Sequence, residues 1–341
     1  MRIETAITPI RSFYLPSGRV IVSRTNDGSL IESTEMRDVS VQGKEHEEVR
    51  NSLDPEVIWK HLVPTEEKWL LTVSTQKGCS YKCRFCDVSR LKFNGNLTKN
   101  EIVEQIVMLV ESTPELKTVG TKKAKIGFAR MGEPKHNLQN VLETMRLLPV
   151  MSWLNNWPIE WLPCFNTIVP TKIVYDDKVI DWYDALMKVL DVKDYFDGNL
   201  HLQISCNSTD ENKRKWLFGG ADVAPLEDII GAFKFKEIKG RTITLNFIAM
   251  KHVEVSVEKL LNFGLTPDKF AVKLISMNRT NASTENDLET EFDYQHIERM
   301  EKLKEEFKRV GVPVVVDATA KCEGAGLCCG QTIETFWPKE K

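Results

Sequence analysis

Short apolar runs alternate with longer amphipathic segments from about residue 69 onward. The first run, WLLTVST, predicts a buried strand, because a short apolar run rich in β-forming residues is typical of a strand inside a sheet. The next segment, LTKNEIVEQIVMLVES, places Ile102, Ile106, Leu109 and Val110 on one helical stripe. Thr98 stands just before this stripe as a candidate N-cap, so the two segments predict one β–α unit.

Five more strand–helix units and a final strand follow this first unit. The predicted strands are AKIGFAR, IEWLPCFN, LHLQIS, TITLNFIAM, FAVKLIS and VPVVVD, and the predicted helices are LQNVLETMRLL, VIDWYDALMKVL, PLEDIIGAF, SVEKLLNF and YQHIERMEKLKEEFKRVG. Repeated β–α units with short connections favour a parallel sheet whose faces are covered by helices. The pattern therefore predicts an α/β fold, a partial (β/α)6 TIM-like barrel, over residues 69–317.

The chain before residue 69 has a different pattern. Short β-like segments, RSFYLPSGRVIVSR and GSLIES, precede the polar and acidic stretch KEHEEVRNSLDPEVIWKHL. We interpret residues 1–68 as a small N-terminal accessory module with a boundary near Pro64. Residues 318–341 then form a C-terminal active-site loop and tail.

Several polar or cysteine-containing segments follow predicted strands directly. In barrels of this kind, functional groups gather on loops at the C-terminal ends of the strands. A cysteine-rich loop follows the first strand, and the turn from Met131 to Pro134 follows the second. Ser205 lies at the end of the fourth strand, and Asn278 follows the sixth. We therefore expect these segments to converge on one rim.

The loop KGCSYKCRFCDVSR places Cys79, Cys83 and Cys86 at C-x3-C-x2-C spacing without a fourth cysteine nearby. Thiolates are soft ligands that hold zinc or iron–sulfur clusters. Structural zinc takes four protein ligands, so a distant residue such as His61 would have to complete a zinc site. Three packed cysteines without a ligand are a further alternative. The remaining interpretation is a 4Fe–4S cluster with one iron left open for an exogenous ligand.

Composition narrows the class of protein only slightly. The chain is 42% hydrophobic and 28% charged, and its net charge is −3, which does not indicate a general nucleic-acid binder. The basic segments KKAK and NKRK are ordinary for solvated surfaces. There is no apolar run long enough to span a bilayer and no apolar signal-peptide core, so a soluble cytoplasmic protein is expected. We expect the eight cysteines to be reduced, without structural disulfides.

The spacing of the three cysteines, with the aromatic Phe85 just before the last, resembles the signature of the radical S-adenosylmethionine superfamily. The turn MGEP, Met131 to Pro134, resembles that superfamily's GGEP turn. The resemblance implies a 4Fe–4S cluster whose open iron is chelated by S-adenosylmethionine. It also implies a flavodoxin- or ferredoxin-type reductant and reductive cleavage to a 5′-deoxyadenosyl radical, a step that the cofactor carries.

Five further stretches resemble the adenine-methylating branch represented by RlmN and Cfr, over roughly residues 62–332. They are VSTQKGCSYKCRFCDVSRLKFNGNLTKNEIVEQI, RMGEPKHNLQNV, QISCNSTDENKRKWL, KLISMNRT and AGLCCGQT. The branch methylates carbon-2 or carbon-8 of an adenine in ribosomal RNA, or in some cases transfer RNA. The resemblance thus implies a methyltransferase acting on RNA or another nucleobase-containing substrate.

The resemblance also assigns individual residues. It gives cluster ligation to Cys79, Cys83 and Cys86, S-adenosylmethionine contacts to Met131, Gly132, Glu133, Ser205 and Asn278, and the methyl-carrying role to Cys329. In the implied mechanism, one S-adenosylmethionine methylates the cysteine sulfur. A second provides the radical that abstracts hydrogen from the S-methyl group, and the carbon radical adds to the adenine. A small buried thiol is the structural alternative for Cys329. Cys328 is a resolving thiol, a second candidate carrier or a neighbour without a role.

Some positions depart from the family pattern. The family's adduct-resolving cysteine corresponds to Thr72, and its partner glutamate to Trp59. A histidine of the family is Asn207 here, and the glycine before MGEP is Arg130. The N-terminal segment does not resemble the family's RNA-docking domain. Because threonine cannot form a disulfide, another thiol would have to resolve the adduct, or the substrate differs; the candidate thiols are Cys164, Cys206, Cys322 and Cys328.

Three functions therefore stay open. The first is a radical S-adenosylmethionine methyltransferase that acts through Cys329 on an sp2 carbon. The second is a radical S-adenosylmethionine enzyme of another reaction type, acting on a small metabolite or peptide. The third, a non-enzymatic iron–sulfur carrier or sensor, is disfavoured because such a protein gains nothing from an open iron or a GEP turn.

Overall fold

The computed structural model describes residues 5–38, 55–292, 298–317 and 328–337. The chain divides into two compact units. The first comprises Met1–Ser80, Asp87–Cys164 and Ala320–Lys341, and the second comprises Tyr81–Cys86 and Phe165–Thr319. Among the described residues, none of the helices has the length and apolar character needed to cross a membrane.

The strands of the first unit combine an antiparallel part with a parallel part. β1 (Ile7–Leu15), β2 (Gly18–Thr25) and β3 (Leu30–Met36) form an antiparallel meander. β3 continues antiparallel to β4 (Trp69–Thr72), where Thr34 faces Thr72. β4 pairs in parallel with β5 (Thr121–Gly127), and β5 pairs in parallel with β6 (Ile159–Thr167). The N-terminal strands therefore pair directly with the first strand of the parallel run.

The first unit contains five helices among its described residues. They are α1 (Pro55–Trp59), α2 (Lys99–Glu111), α3 (Pro114–Thr118), α4 (Leu138–Asn155) and, near the C-terminus, α11 (Gln331–Phe336), with short 3-10 helices at Asp87–Arg90 and Pro134–Asn137. Only α2, α3 and α4 lie between its parallel strands. The predicted start of α2 is confirmed. Thr98 caps it in a capping box with Glu101, and the apolar stripe beginning at Ile102 is fully buried.

The second unit contains four consecutive parallel strands, β9, β10, β11 and β12. β10 is buried along nearly its whole length, as expected for a parallel strand covered on both faces. The elements in chain order are β7 (Lys172–Tyr175), β8 (Lys178–Asp181), α5 (Trp182–Tyr195), β9 (His201–Ser205), α6 (Glu211–Leu217), α7 (Leu226–Ala232), β10 (Ile243–Ala249), α8 (Val257–Phe263), β11 (Phe270–Ser276), α9 (Asn281–Glu285), α10 (Glu298–Arg309) and β12 (Val314–Asp317).

One predicted element is wrong at its start. The helix predicted from Val179 begins only at Trp182, because Lys178–Asp181 pairs with Lys172–Tyr175 in a β-hairpin. Asp181 ends that hairpin and caps α5, with its Oδ1 accepting a hydrogen bond from the amide of Asp184 at 2.8 Å. Local side-chain capping therefore overrides the apolar pattern at this position.

Some predicted features cannot be placed in the structure. Most of the acidic stretch that begins KEHEEV lies outside the described residues, as do positions 293–297 at the start of the last predicted helix. Most of the C-terminal segment 318–341, including Cys322, lies outside them too. The domain boundaries predicted near residues 68 and 317 stay predictions.

Candidate active site

The cysteine loop is held firmly in the first unit up to Cys79. The amide of Lys77 donates to the carbonyl of Gly95 at 2.9 Å, and the amide of Asn94 donates back to the carbonyl of Lys77 at 2.8 Å. Gly78 has φ of +80°, and a Cβ there would lie 2.4 Å from the carbonyl oxygen of Lys92. Only glycine fits this close approach, so the backbone conformation just before Cys79 is fixed.

The second half of the loop is anchored within the second unit. The amide of Arg84 donates to the carbonyl of Leu217 at 2.8 Å, and its guanidinium donates to Oδ1 of Asn286 at 2.7 Å. The hydroxyl of Thr280 donates to the carbonyl of Phe85 at 3.0 Å. The ends of α6 and α9 thereby fix the segment that carries Cys83 and Cys86.

The three cysteines have the chemistry that an iron–sulfur cluster requires. Cys79, Cys83 and Cys86 are all of intermediate burial, and the residues that the structure describes contain no disulfide at these positions. Soft thiolates on a short loop suit iron–sulfur ligation. No group of three His, Cys, Asp or Glu side chains arranged to hold a metal ion occurs among the described residues. The donor set therefore fits, while the convergence of the three sulfurs stays a prediction.

The MGEP turn packs against the first part of the cysteine loop in the first unit. The carbonyl of Met131 accepts hydrogen bonds from the amides of Thr75 at 2.9 Å and Gln76 at 3.2 Å. The side chain of Gln76 accepts a hydrogen bond from the amide of Glu133 at 3.0 Å. Gly132 has φ of +101°, and a Cβ there would lie 2.6 Å from the Cβ of Gln76. The glycine is therefore required by both its conformation and this close contact.

Glu133 is a buried acidic residue of this turn, only 5% exposed. Its Oε1 accepts a hydrogen bond from the amide of Lys135 at 3.1 Å and so caps the following 3-10 helix. A carboxylate fixed in this way is preorganised for a positively charged ligand group, as expected for an amino-group contact. The role assigned to Glu133 stays a prediction that its geometry supports.

Sequence analysis included Gln76 only as part of the QKG segment of the family resemblance and did not single out His136. Gln76 holds the turn, and Nδ1 of His136 lies 3.0 Å from the hydroxyl of Ser80. Burial, followed by the charge of Lys135, lowers the pKa of His136, which favours the neutral imidazole. The signal was available, because both residues lie within three positions of a motif already singled out.

In the second unit, the two predicted S-adenosylmethionine contacts follow parallel strands. Ser205 is the last residue of β9, and Asn278 follows the end of β11 by two positions. Since β9 and β11 flank β10 in parallel, both residues lie at the carboxyl edge of this sheet. Met277 and Arg279, the neighbours of Asn278, line a cavity of about 750 Å³. The residues that line this cavity come mainly from the segment after β11, and neither Ser205 nor Asn278 is among them, so their cofactor contacts stay predictions.

The C-terminal cysteines lie in the first unit beside two buried charged residues. The carboxylate of Glu32 and the guanidinium of Arg130 form an ion pair at 2.6 Å, with side chains 0% and 8% exposed. A guanidinium nitrogen of Arg130 lies 3.8 Å from the sulfur of Cys329 as a hydrogen-bond donor. The other terminal nitrogen donates to the carbonyl of Cys328 at 3.2 Å. Arg130 immediately precedes the MGEP turn, so Cys329 is connected to that turn through one residue.

The two adjacent cysteines differ in their surroundings. Burial first, and then the neighbouring Cys329, raises the pKa of the Cys328 thiol to about 12. The sulfur of Cys329, by contrast, contacts the positive charge of Arg130. A positively charged neighbour favours a reactive thiolate, whereas burial disfavours it. Cys329 is therefore the one of the two adjacent cysteines whose sulfur Arg130 contacts directly.

The other positions that depart from the family pattern have surroundings typical of structural residues. The hydroxyl of Thr72 lies 2.5 Å from the hydroxyl of Thr34 on the neighbouring strand. Trp59 is 59% exposed. Asn207 adopts φ of +61°, and its Oδ1 accepts a hydrogen bond from the amide of Ile248 at 3.1 Å. Both Cys164 and Cys206 are buried, as core residues are.

No family model matches the chain, but comparisons with known proteins find relatives. It is 25% identical over 258 residues to a probable dual-specificity RNA methyltransferase RlmN of Carboxydothermus hydrogenoformans, covering 75% of this chain and 67% of that protein. The RlmN proteins of Thermotoga neapolitana and Prochlorococcus marinus are 30% identical over 213 residues and 24% identical over 285 residues. These two matches cover 62% and 82% of this chain, and 55% and 71% of the relatives.

A solved structure shares the fold. The crystal structure of a radical SAM methyltransferase from Sphaerobacter thermophilus matches 96% of this chain and 81% of its own length, with a TM-score of 0.67 and 20% sequence identity. The predicted fold class, a partial barrel of parallel β–α units, is confirmed by this likeness and by the parallel strands. The family resemblance read from the motifs is confirmed by the similarity to the RlmN proteins.

Proposed function

We propose that this chain, a divergent relative of the RlmN-type radical S-adenosylmethionine methyltransferases, transfers a carbon from S-adenosylmethionine through Cys329 to an sp2 carbon. The substrate that the motifs favour is an adenine in RNA or another nucleobase-containing molecule. One observation supports this proposal most strongly. Arg130 contacts the sulfur of Cys329 at 3.8 Å and is followed directly by Met131, Gly132 and Glu133. The proposed carrier and the proposed cofactor-binding turn are therefore neighbours within one unit.

Different residues of the chain would have different roles in this reaction. Cys79, Cys83 and Cys86 would hold the 4Fe–4S cluster, and Glu133 would bind the amino group of S-adenosylmethionine. The cluster with bound S-adenosylmethionine supplies a 5′-deoxyadenosyl radical. Cys329 would accept a methyl group on its sulfur, because a sulfonium methyl is electrophilic and a thiolate is a strong nucleophile. Ser205 and Asn278 would complete the cofactor contacts.

A nucleobase-containing substrate is supported by a basic and aromatic cluster in the second unit. The indole of Trp216 is 37% exposed, and the charged groups of Arg84 and Lys213 lie 4.6 Å and 4.1 Å from its ring. Single-stranded RNA is commonly held by aromatic side chains that stack on bases together with cations that contact phosphates. A base buried in a duplex would have to be unpaired before it could react. We therefore propose cytoplasmic RNA as the partner and a flavodoxin- or ferredoxin-type protein as the electron donor.

The test is whether S-adenosylmethionine leaves a methyl group on Cys329. The protein is reconstituted with iron and sulfide, incubated with S-adenosylmethionine and a chemical reductant, and mapped by peptide mass spectrometry. We expect one added methyl group on Cys329 and formation of 5′-deoxyadenosine. The matched controls are Cys329→Ala, which should lose the mark, and Cys328→Ala, which should keep it. An unmodified Cys329 in a protein that still produces 5′-deoxyadenosine would contradict the proposal.

A second candidate is a radical S-adenosylmethionine enzyme of another reaction type, acting on a small metabolite or peptide. The observation that favours it is Thr72, whose hydroxyl is paired with Thr34 at the position of the family's resolving cysteine. A hydroxyl cannot form the disulfide that releases the family's RNA adduct. Incubating reconstituted Cys328→Ala with S-adenosylmethionine, the same chemical reductant and unmodified RNA separates the two candidates. A trapped covalent RNA adduct supports the first, and turnover only with a small molecule or peptide supports the second.

A further inference from the structure

The position of Arg130 is fixed by its backbone before its side chain makes any contact. Its amide donates to the carbonyl of Val73 at 3.0 Å, just beyond the end of β4. From this anchor the guanidinium reaches the sulfur of Cys329, the carbonyl of Cys328 and the carboxylate of Glu32. A planar guanidinium presents several donors in a rigid geometry, so these three contacts define one orientation of the C-terminal segment.

Glu32 holds the same segment from the other side. Its two carboxylate oxygens accept hydrogen bonds from the amides of Gly330 at 3.0 Å and Ile333 at 3.1 Å. These amides belong to the start of α11, whose N-cap position, Gly330, has no side chain to serve as a cap. A carboxylate at a helix N-terminus is stabilised by free amides and by the helix dipole. Glu32 therefore replaces the missing local cap, although it lies 298 positions away in the sequence.

The electrostatics of the pair keep the guanidinium charged. Burial opposes the charged form of Arg130, but the carboxylate of Glu32 and the thiols of Cys329 and Cys328 raise its pKa. A buried charge is tolerated only when it is paired and hydrogen-bonded, and Glu32 meets both conditions. The sulfur of Cys329 therefore lies beside a guanidinium that stays charged. Its position is fixed by the backbone of Arg130 and by the carboxylate of Glu32.

The glycine after Cys329 adds a steric constraint. Gly330 has φ of +76°, and a Cβ there would lie 2.7 Å from the backbone nitrogen of Val88. Val88 belongs to the 3-10 helix Asp87–Arg90, the segment of the first unit that directly follows the cysteine loop. The Cys328–Gly330 segment is therefore packed tightly against the chain that leaves the candidate cluster loop.

We propose that Arg130 and Glu32 are positioning residues for the methyl-carrier cysteine: Glu32 orients Arg130 and caps α11, and Arg130 orients the sulfur of Cys329. This inference rests on the proposed function, because only that function gives Cys329 a chemical role. It also assigns a purpose to the arginine that departs from the family's glycine before the MGEP turn. The strand β3, which belongs to the N-terminal meander, thereby contributes a residue to the site.

The test measures the reactivity of Cys329 without S-adenosylmethionine. Full-length protein is exposed briefly to iodoacetamide at several pH values, and labelling of Cys329 is quantified by peptide mass spectrometry. In Arg130→Gln we expect labelling near pH 7.5 to slow by about three- to tenfold, because the sulfur of Cys329 loses the charged donor that orients it. Arg130→Lys should recover part of the rate, since it restores the charge without the fork of donors.

Two further variants keep the inference open to contradiction. Glu32→Gln/Arg130→Gln has neither buried charge and retains an oxygen acceptor for the α11 amides, so it should fold even where the single variant does not, and it should also label slowly. Arg90→Gln, the matched control, removes the partly exposed ion pair to Glu334 on the same helix and should leave the rate unchanged. An unchanged rate in a folded Arg130 variant, or an equal loss in Arg90→Gln, overturns the inference.

This experiment fails separately from the proposed function. Iodoacetamide labelling requires no cluster, reductant or S-adenosylmethionine. A slowed Arg130→Gln together with an unmethylated wild-type Cys329 would support the positioning contacts and reject the carrier role. A methylated Cys329 together with an unaffected Arg130→Gln would support the carrier role and reject the positioning one.

Discussion

The two units each contain a buried arginine with a cysteine nearby, and the two pairs are built differently. In the first unit, Arg130 pairs with the buried carboxylate of Glu32 and directs a donor at the sulfur of Cys329. In the second, Arg214 is fully buried and donates to the carbonyls of Ala224 at 2.7 Å and Ile168 at 3.2 Å. Arg214 therefore connects two loop carbonyls, whereas Arg130 contacts a cysteine sulfur.

The cysteines differ in the same way. Cys206 is fully buried, and its sulfur donates to the carbonyl of Ile204 at 3.4 Å. Burial raises the pKa of Cys206 to about 12, and the opposing charge of Arg214 does not overcome it. Cys329 is half-buried and accepts its contact from a guanidinium. A nearby arginine alone therefore does not make a cysteine reactive; access and a direct contact are also required.

The largest effect expected from this comparison is a difference in thiol reactivity. Native protein is pulsed with iodoacetamide near pH 7.5, and labelling is compared at Cys329 and Cys206. We expect Cys329 to react at least about tenfold faster, because Cys206 is fully buried and burial raises the pKa of its thiol to about 12. Protein unfolded in urea is the control and should label both sites at similar rates. Comparable labelling of both sites in the native protein would contradict the predicted difference in reactivity.

The next effect is on stability. Removing Arg130 leaves the carboxylate of Glu32 buried without its partner, so Arg130→Gln should lower the free energy of unfolding by about 3–5 kcal/mol. Adding Glu32→Gln should recover a large part of that loss. Arg214→Gln should cost about 1–3 kcal/mol, because it leaves backbone carbonyls unsatisfied, while its ion-pair partner Glu211 is 42% exposed and stays hydrated. Urea denaturation measures all three, and a double variant no more stable than Arg130→Gln would contradict the prediction.

A smaller effect should appear at alkaline pH. Since the folded state raises the pKa of Cys206 to about 12 from 9.0, its contribution to stability is complete below about pH 9 and is lost as the pH rises toward 12. Between pH 8 and pH 10, wild type should therefore lose about 1 kcal/mol more than Cys206→Ala. The matched control, Ile204→Val, trims a buried side chain nearby without removing a titratable group and should follow wild type. Equal pH dependence in wild type and Cys206→Ala would refute the prediction.

Most of the fold could be predicted because it depends on local patterns. The strand FAVKLIS was predicted with the bounds observed for β11, and Thr98 was predicted as the cap of α2. The hairpin of β7 and β8 was missed because its apolar residues also fit a helix, and only the pairing between the two strands decides the outcome. Local propensity is a weak guide where two short segments stabilise one another.

The candidate site could be predicted only in part. Its motifs are continuous in the sequence, and they identified the cysteine loop, the MGEP turn and Cys329. Glu32 was not found, because its partners Gly330 and Ile333 lie about 300 positions away and no local pattern joins them. Each partner of the buried ion pair is unusual in the sequence. Arg130 departs from the family pattern, and Glu32 is an acidic residue inside the predicted β segment GSLIES. Only tertiary structure shows that the two unusual residues belong together.

The smallest expected effect is on the free energy of unfolding, and it distinguishes a partly exposed ion pair at α11 from the buried pair that contacts the same helix. Arg90 and Glu334 are joined at 2.7 Å, with side chains 29% and 20% exposed, whereas the pair of Glu32 and Arg130 is almost completely buried. Water and salt screen the outer pair, so Arg90→Gln should change the free energy of unfolding by no more than about 1 kcal/mol. The change should shrink further in high salt, because ions weaken partly exposed charge pairs.

The same urea denaturation series at low and high salt checks this prediction, with Arg130→Gln as the comparison variant. The cost of Arg130→Gln should persist in high salt, because ions do not reach a buried carboxylate. If Arg90→Gln instead cost as much as Arg130→Gln at both salt concentrations, α11 would be held by its surface contacts rather than by Glu32. The contrast between a buried and a partly exposed ion pair therefore decides which residue anchors the segment that carries Cys329.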